Sequence, residues 1–540
     1  MQLDEDGALD RDGHVLDGLG IAFSMDDERA HELFRALVGS RQSSQGENFP
    51  RLWHGGYLNS VVIALDVGTS STRAAFYDGD GRSIAGRSHQ VQYTPTLTRD
   101  GGVELDAQRL LEAVVECLDA IHPNRPPEET RAVGLATFWH GLLGFDAGGH
   151  PITPIYMWAD TRSASEAQLL RSALDDEAVH ARTGCHLHSS YWPAKLRWLA
   201  RERPADVGRV ARWGSFGEFL EISLFGEATT SVSMASGTGL MDQATARWDA
   251  EAMAAAEIDE SHLFSLSDRT APRRGLRSSW SSRWPGLRTA AWFPAVGDGA
   301  ASNVGSDCVD PSRIALNVGT SAALRVVRRE PLAPPRGLWS YRLDGNHAMV
   351  GGATSEGGNI YAWCRQVLRL GSHEEIEAAL ADLPPDDHGL TMLPHLAGER
   401  SPGWRDDRDG TISGIRLGTS SIEIVRAALE AVALRLGAVY ELLAPCAARD
   451  HMIVASGAAL GRSRAWTQIV ADVMGHPVTW AAESEATTRG AALLALQAIG
   501  ALPDLVSARQ PVGETFVPDR ARHIRYREAL ERQRRLDERV

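Results

Sequence analysis

Residues 61–77 read VVIALDVGTSSTRAAFY, and residues 314–327 read IALNVGTSAALRVV. In each, an apolar run reaches a polar residue (Asp66 or Asn317), passes through Val-Gly-Thr-Ser and returns as a second apolar run. That pattern predicts strand, tight turn, strand. A Gly-Thr-Ser turn is dense in backbone N–H groups and hydroxyls that no large side chain crowds, which is what a phosphate chain needs from a protein. Its recurrence constrains the chain to two related halves holding one phosphate-bearing ligand between them. Neither turn carries Gly-Lys-Ser/Thr and each lies between two strands, so this is not a Walker-type loop. Without a loop lysine the phosphate charge needs another counterweight. Mg²⁺ held through water by Asp66, with Arg73 nearby, would supply it.

Composition narrows the partners. At 540 residues the chain has length for two or more domains, and 43% apolar with 23% charged residues is the make-up of an ordinary globular protein. A formal charge of -15 argues against nucleic acid or an anionic membrane as the main partner. Cys117, Cys185, Cys308, Cys364 and Cys446 form no Cys-x-x-Cys pair, so neither a zinc site nor a disulfide framework is expected. No apolar run approaches the roughly 18 residues of a membrane span, and a cytoplasmic location is expected.

Taken in order, residues 1–60 form an acidic extension in which only 26–38 has helical periodicity. Three strands follow from 61 to about 91, then a helix capped by Asp106, then a buried strand at 131–138 that opens into Trp139-His140-Gly141. One helix is expected after residue 163, ending near Gly184. Asp298 sits between Gly297 and Gly299 in a Gly-rich bend just before the second hairpin, and a carboxylate between glycines can approach a ligand closely. In the second half, 356–359 opens an amphipathic helix. Ser420 and Glu423 form a capping box for a long helix, and a short strand at 453–454 runs into Ala455-Ser456-Gly457. Helices follow at 463–475 and 485–499, and 519–540 is expected as a peripheral helix. The resulting division is an extension (1–60), a first domain (61–308), a second domain (309–505) and a tail (506–540).

These motifs resemble those of the FGGY carbohydrate kinases. The family's second signature fits Gly410, Ile412, Gly414 and Ile415, then, after seven residues, Glu423, Ile424, Ala427, Ala428, Leu429 and Glu430. The first fits partly: Lys195-Leu196-Arg197-Trp198-Leu199 and Arg201-Glu202 agree, but Trp192 stands where the pattern has Pro, Ser or Thr. Lys195 is also the only lysine in the chain. The resemblance implies an α/β fold of two ribonuclease H-like domains, of the actin and hexokinase type, around a central cleft. It implies ATP and Mg²⁺, with Asp66 facing the metal. It also places Thr69, Ser70, Ser71 and Arg73 in the first phosphate loop, Gly319 and Thr320 in the second, and Gly457 and Ala458 in the adenosine loop. Asp298 falls in the catalytic-base motif. Trp139 and His140 occupy the sugar-contacting loop, which reads Gln-Met-His-Gly in many pentulose kinases, and Glu104, Asp160 and Arg162 match positions lining the same cleft.

Phosphoryl transfer asks mainly for positioning, charge stabilisation and a base for the attacking hydroxyl. Gly-Asp298-Gly-Ala-Ala-Ser-Asn303 together with Gly-Thr-Ser-Ala-Ala-Leu-Arg325 looks most like the gluconate kinases, with Arg325 or Arg162 as partner for a substrate carboxylate. Xylulose or another pentulose is the alternative acceptor. A non-enzymatic actin-like switch or a sugar sensor is the rival from another class, and a homodimer is the candidate assembly. Among these, a small sugar or sugar acid phosphorylated by ATP is the expectation.

Overall fold

The computed structural model describes residues 61–121, 130–482 and 485–540; the extension and its expected helix lie outside them. The first hairpin is β1 (Val61–Val67) and β2 (Ser71–Tyr77), with β3 (Ser83–Gln92) antiparallel to β2. Helix α1 (Ala107–Ile121) starts where Asp106 Oδ1 accepts the Arg109 N–H at 2.8 Å, and it buries Leu110, Leu111, Val114, Leu118 and Ile121 along one face. Strand β4 (Thr130–Thr137) lies parallel to β1, so β1 is enclosed on both sides and reads as a continuous apolar run.

The single helix expected after residue 163 is two, α2 (Ala164–Ala173) and α3 (Asp176–Thr183). Asp175 breaks it by turning its carboxylate onto the N–H groups of Glu177 and Ala178, a competition that apolar spacing does not reveal. Helix α4 (Trp192–Glu202) carries the buried Lys195. Strands β5 (Ala291–Trp292) and β6 (Val296–Gly297) pair with β4, and α5 (Asp298–Gly305) leaves the sheet with Asp298 as its first residue.

The second half repeats this plan with β7 (Arg313–Val318), β8 (Ala322–Arg328), β9 (Trp339–Arg342) and β10 (Ala348–Thr354), followed by α6 (Gly358–Val367). Helix α7 (Ser421–Leu443) begins at the expected box: Ser420 N–H donates to Glu423 Oε2 at 2.7 Å, and the Glu423 N–H to Ser420 Oγ. Strand β11 (Met452–Ser456), α8 (Ala458–Gly461), α9 (Arg464–Met474) and β12 (Val478–Trp480) complete the layer. The parallel pair β7–β11 matches β1–β4, and antiparallel β7–β8 matches β1–β2. The turns are not identical, however. Val67 pairs with Thr72, whereas Val318 pairs with Ala322, so the second turn is one residue tighter.

Two sequence-based placements change. Helix α10 (Ala486–Ala498) follows the second half in sequence but packs on α5, β1 and β4 of the first. The tail is not peripheral. Strand β13 (Thr515–Phe516) extends the second sheet beside β12, and α11 (Arg520–Asp537) packs on α7 and α9 with Tyr526, Ala529 and Leu530 buried.

Helices α5 and α10 cross at backbone contact. A Cβ at Gly305 would fall 1.7 Å from Ala486 O, and one at Gly490 would fall 1.8 Å from Ala301 O. Beside the crossing, fully buried Arg489 donates to Gly305 O (2.6 Å), Asp307 Oδ1 (2.7 Å) and Ala508 O (2.7 Å). Gly490→Ala should therefore destabilise the protein by at least about 2 kcal/mol, because backbone cannot yield as a side chain can. Urea unfolding of the ligand-free protein measures this, and a change within about 0.5 kcal/mol would mean that the helices have slack.

Candidate active site

The first turn is pinned from beneath. Gly68 N–H donates to Ser71 O at 2.9 Å, Tyr93 N–H to Ser70 O at 2.9 Å, and the Tyr93 hydroxyl to Gly68 O at 2.8 Å. Thr69 and Ser70 remain at the tip, while Ser71 Oγ accepts from Gln90 Nε2 at 2.9 Å. Arg73 is engaged on the same strand, donating to Gln90 Oε1 at 2.7 Å and paired with Glu485. Its charge is spent on holding β2 and the start of α10 together. Tyr93 was not singled out in the sequence. Its only signal there is an aromatic residue closing a strand of alternating polarity.

In the second turn, Gly319 N–H donates to Ser321 O at 3.0 Å, and the start of α6 clamps it: Gly358 N–H donates to Gly319 O at 2.7 Å and Asn359 N–H to Thr320 O at 3.1 Å. Asn317, which replaces the aspartate of the first hairpin, donates its amide to Ser456 Oγ at 3.1 Å and so ties the hairpin to the end of β11. Gly457 has φ 98° and lies against the backbone of Val318, where a Cβ would be 2.5 Å from the carbonyl oxygen. Gly319, Thr320 and Ala458 then border one cavity of about 690 Å³, walled also by Tyr361, Arg365, Glu377 and Trp466. Its size and mixed lining suit a nucleotide.

Asp298 stands at the head of α5 with Oδ1 accepting its neighbour's Gly299 N–H at 2.7 Å. Asp66, on β1, is close enough for the Asp298 charge to oppose its ionisation. Burial first, and then the Asp298 charge, push the Asp66 carboxyl up to about 7, against the pull of Arg73. Burial also raises Asp298, offset by Arg325, by the N–H groups of Gly299 and Trp139, and by Arg400. The flanking glycines have a different purpose from close ligand approach. The Trp139 indole occupies their side-chain space, 1.9 Å from where a Cβ of Gly297 would lie and 2.7 Å from that of Gly299. Trp139 Nε1 donates to Ser233 O at 2.9 Å, which fixes the ring. His140, at φ 68°, places Nδ1 2.5 Å from Gly237 O, with the rings of Tyr191 and Tyr341 against its imidazole. Burial holds its pKa well below the ordinary value, so the ring is neutral; donating through Nδ1 leaves Nε2 as an acceptor.

Glu104, Asp160 and Arg162 come together, but their bonds run among themselves. Arg162 Nη2 donates to Glu104 Oε1 at 2.6 Å and to Asp160 Oδ2 at 2.5 Å, Nε donates to Asp160 Oδ1 at 3.1 Å, and the guanidinium lies 4.6 Å from the Trp198 ring. Asp160 Oδ2 also accepts the Val103 N–H at 3.2 Å. The triad orders the loop, and Arg162 already has both its carboxylates in place.

Other cations do. Arg325 on β8 has Nε and Nη1 buried without an acceptor, and it faces Gly299 and Asp298. Arg400, 8% exposed, has an unpaired buried Nε and lies 5.0 Å from the Trp158 ring and 6.0 Å from that of Trp404. Lys195, also buried, donates to Ser189 O, and burial lowers its pKa to about 8. The loop carrying Arg400 bridges to the first half, where Asp406 pairs with His188 at 2.9 Å and accepts the Ser189 N–H at 3.3 Å. Arg400 was not singled out in the sequence, because an arginine in a polar loop carries no mark of burial.

Comparison with known proteins agrees with this geometry. The pattern of the FGGY family of carbohydrate kinases, N-terminal domain, matches residues 61–305, and that of the C-terminal domain matches residues 314–499. A gluconokinase of Bacillus subtilis (strain 168) is 26% identical over 478 residues, spanning 85% of this chain and 91% of the relative. A ligand-bound xylulose kinase of Lactobacillus acidophilus superposes with a TM-score of 0.82 at 25% identity, over 88% of this chain and 97% of the other. A gluconate kinase of the same organism has the same fold, with a TM-score of 0.80 at 24% identity over 88% and 97% of the two chains. Duplicated hairpins, nucleotide-sized cavity and matched sequence patterns lead to one conclusion: the chain belongs to the FGGY family of carbohydrate kinases, which use ATP.

Proposed function

We propose that this kinase transfers the γ-phosphoryl group of ATP to a hydroxyl of a sugar acid, and that gluconate is its substrate. The observation that carries this reading is the set of buried cations, Arg325, Arg400 and Lys195, whose charges reach the pocket around Asp298 and His140. A neutral sugar can accept their hydrogen bonds but leaves their charges uncompensated in a place where that is costly, whereas a carboxylate supplies the countercharge. The gluconokinase relative points the same way.

In this reading Asp298 accepts the proton of the attacking hydroxyl, and the neutral His140 offers Nε2 to another sugar hydroxyl. The stacked Trp339 and Tyr341 (centroids 4.1 Å apart) and Trp139 form the apolar wall that keeps water out. The two hairpins receive the phosphates, and closure of the cleft commits the group to the sugar rather than to water. The pair Asp66 and Asp298 fits a divalent cation, since the Asp298 charge hinders ionisation of Asp66 and a cation would offset it. Mg²⁺ held through water at Asp66 would supply charge neutralisation to the transferring group.

The raised Asp66 has a sign that can be tested. The native state holds a proton on Asp66 up to about pH 7, whereas its ordinary value is 3.8. The native form therefore binds more protons between those values, and stability is lost as pH rises through that window. The ligand-free protein should melt lower at pH 8 than at pH 5. Asp66→Asn should flatten that dependence, the two proteins differing most above pH 7; identical pH profiles would remove the strain assigned to Asp66. For the reaction, Asp298→Asn should reduce transfer by at least about 100-fold while ADP affinity stays within a few-fold. Wild-type turnover in that variant would exclude Asp298 as base. An ADP-release assay over gluconate, xylulose and glycerol tests the substrate, and preference for xylulose or glycerol would overturn gluconate.

A further inference from the structure

Arg325 and Arg400 pose an electrostatic problem that the protein alone does not solve. Burial, and then the Arg400 charge, push the Arg325 pKa down to about 10, against the pull of Asp298. Arg325 leaves Nε and Nη1 unbonded, and Arg400 leaves Nε unbonded while its flat faces meet Trp158 and Trp404. Asp298 is the carboxylate whose charge reaches Arg325, and its own Oδ1 is engaged by Gly299 N–H. Arg162, by contrast, has both its carboxylates in place. Two like charges bordering one cleft, each with buried donors unspent, call for an anion with two acceptor oxygens.

The two arginines also share an origin. Arg325 is on β8 and Arg400 on the loop after Thr391–Leu393, both in the second half. Asp298, Trp139 and His140 belong to the first half. We propose that Arg325 and Arg400 together hold the substrate's carboxylate, so that the acid group fastens the sugar to the second half while its reacting hydroxyl lies at Asp298 in the first. The inference rests on the sugar-acid reading above and assigns it to two residues. It also gives the carboxylate a second task, that of linking the halves across the cleft before transfer.

The experiment compares gluconate with glucitol, which carries a hydroxymethyl group in place of the carboxylate, on the full chain and on Arg325→Met and Arg400→Met. Expected is a wild-type preference for gluconate over glucitol in kcat/KM, which each variant loses by on the order of 100-fold. A residue needed only to support the base would lower both acceptors alike. Binding of ADP, in a cavity walled by other residues, reports whether each variant is folded. If a Met variant fails that check, the Gln variant takes its place. A wild-type preference for gluconate that survives in either variant overturns the two-arginine assignment and leaves the sugar-acid reading standing. Absence of any wild-type preference for gluconate overturns both. On the wild type alone, gluconamide should bind on the order of 100-fold more weakly than gluconate in calorimetry; equal binding would overturn the assignment without any substitution.

Discussion

The backbone crossing of α5 and α10 is the contact that fixes the chain leaving the second sheet onto the first half. Gly305 and Gly490 each face a carbonyl of the opposite helix, so the two axes approach more closely than any side chain would allow. Helix α5 begins with the proposed base and ends at this crossing. Helix α10 begins one residue after Glu485, the partner of Arg73 beneath the first phosphate turn. The proposed base and the ion pair beside the first turn are thus fixed to one rigid point. Arg489, wholly buried and bonded to three carbonyl or carboxylate oxygens, locks the chain that leaves the crossing.

Around that point the molecule separates charges that are satisfied from charges that are not. Arg162, Arg426 and Arg435 are buried with carboxylates in contact and act as fasteners. Arg325 and Arg400 have buried donors without one, and the Asp298 charge opposes ionisation of Asp66. Unpaired buried charge destabilises a fold, and its concentration in one cleft is what distinguishes a site built for a charged ligand from a structural ion-pair network. The same contrast separates the motif-matched Arg162 from the arginines able to meet a substrate.

Much of this was legible in the sequence. The hairpins announced themselves because a parallel central strand is uniformly apolar and a phosphate turn must be built from small residues. The long helix was marked by the reciprocal bonds of Ser420 and Glu423. What escaped was decided by tertiary contact. No local pattern says that residues 486–498 belong against the first sheet, because an Ala-rich helix suits either half. Nor does Gly-Asp-Gly reveal that its glycines make room for Trp139. The one-residue difference between the turns is also invisible, since the letters are the same and only the pairing differs. Arg400 was hidden for the reason that burial and partnership are properties of the folded chain.

Lys195 has a chemical meaning beyond its place near the pocket. It is the only lysine in 540 residues, and it is buried. Every other basic side chain that can hold a full charge at neutral pH is a guanidinium, so the surface of this protein has no side-chain amine to offer an acylating or cross-linking reagent. Amine chemistry on the folded molecule is therefore confined, apart from the terminal α-amino group, to one interior position beside the cleft.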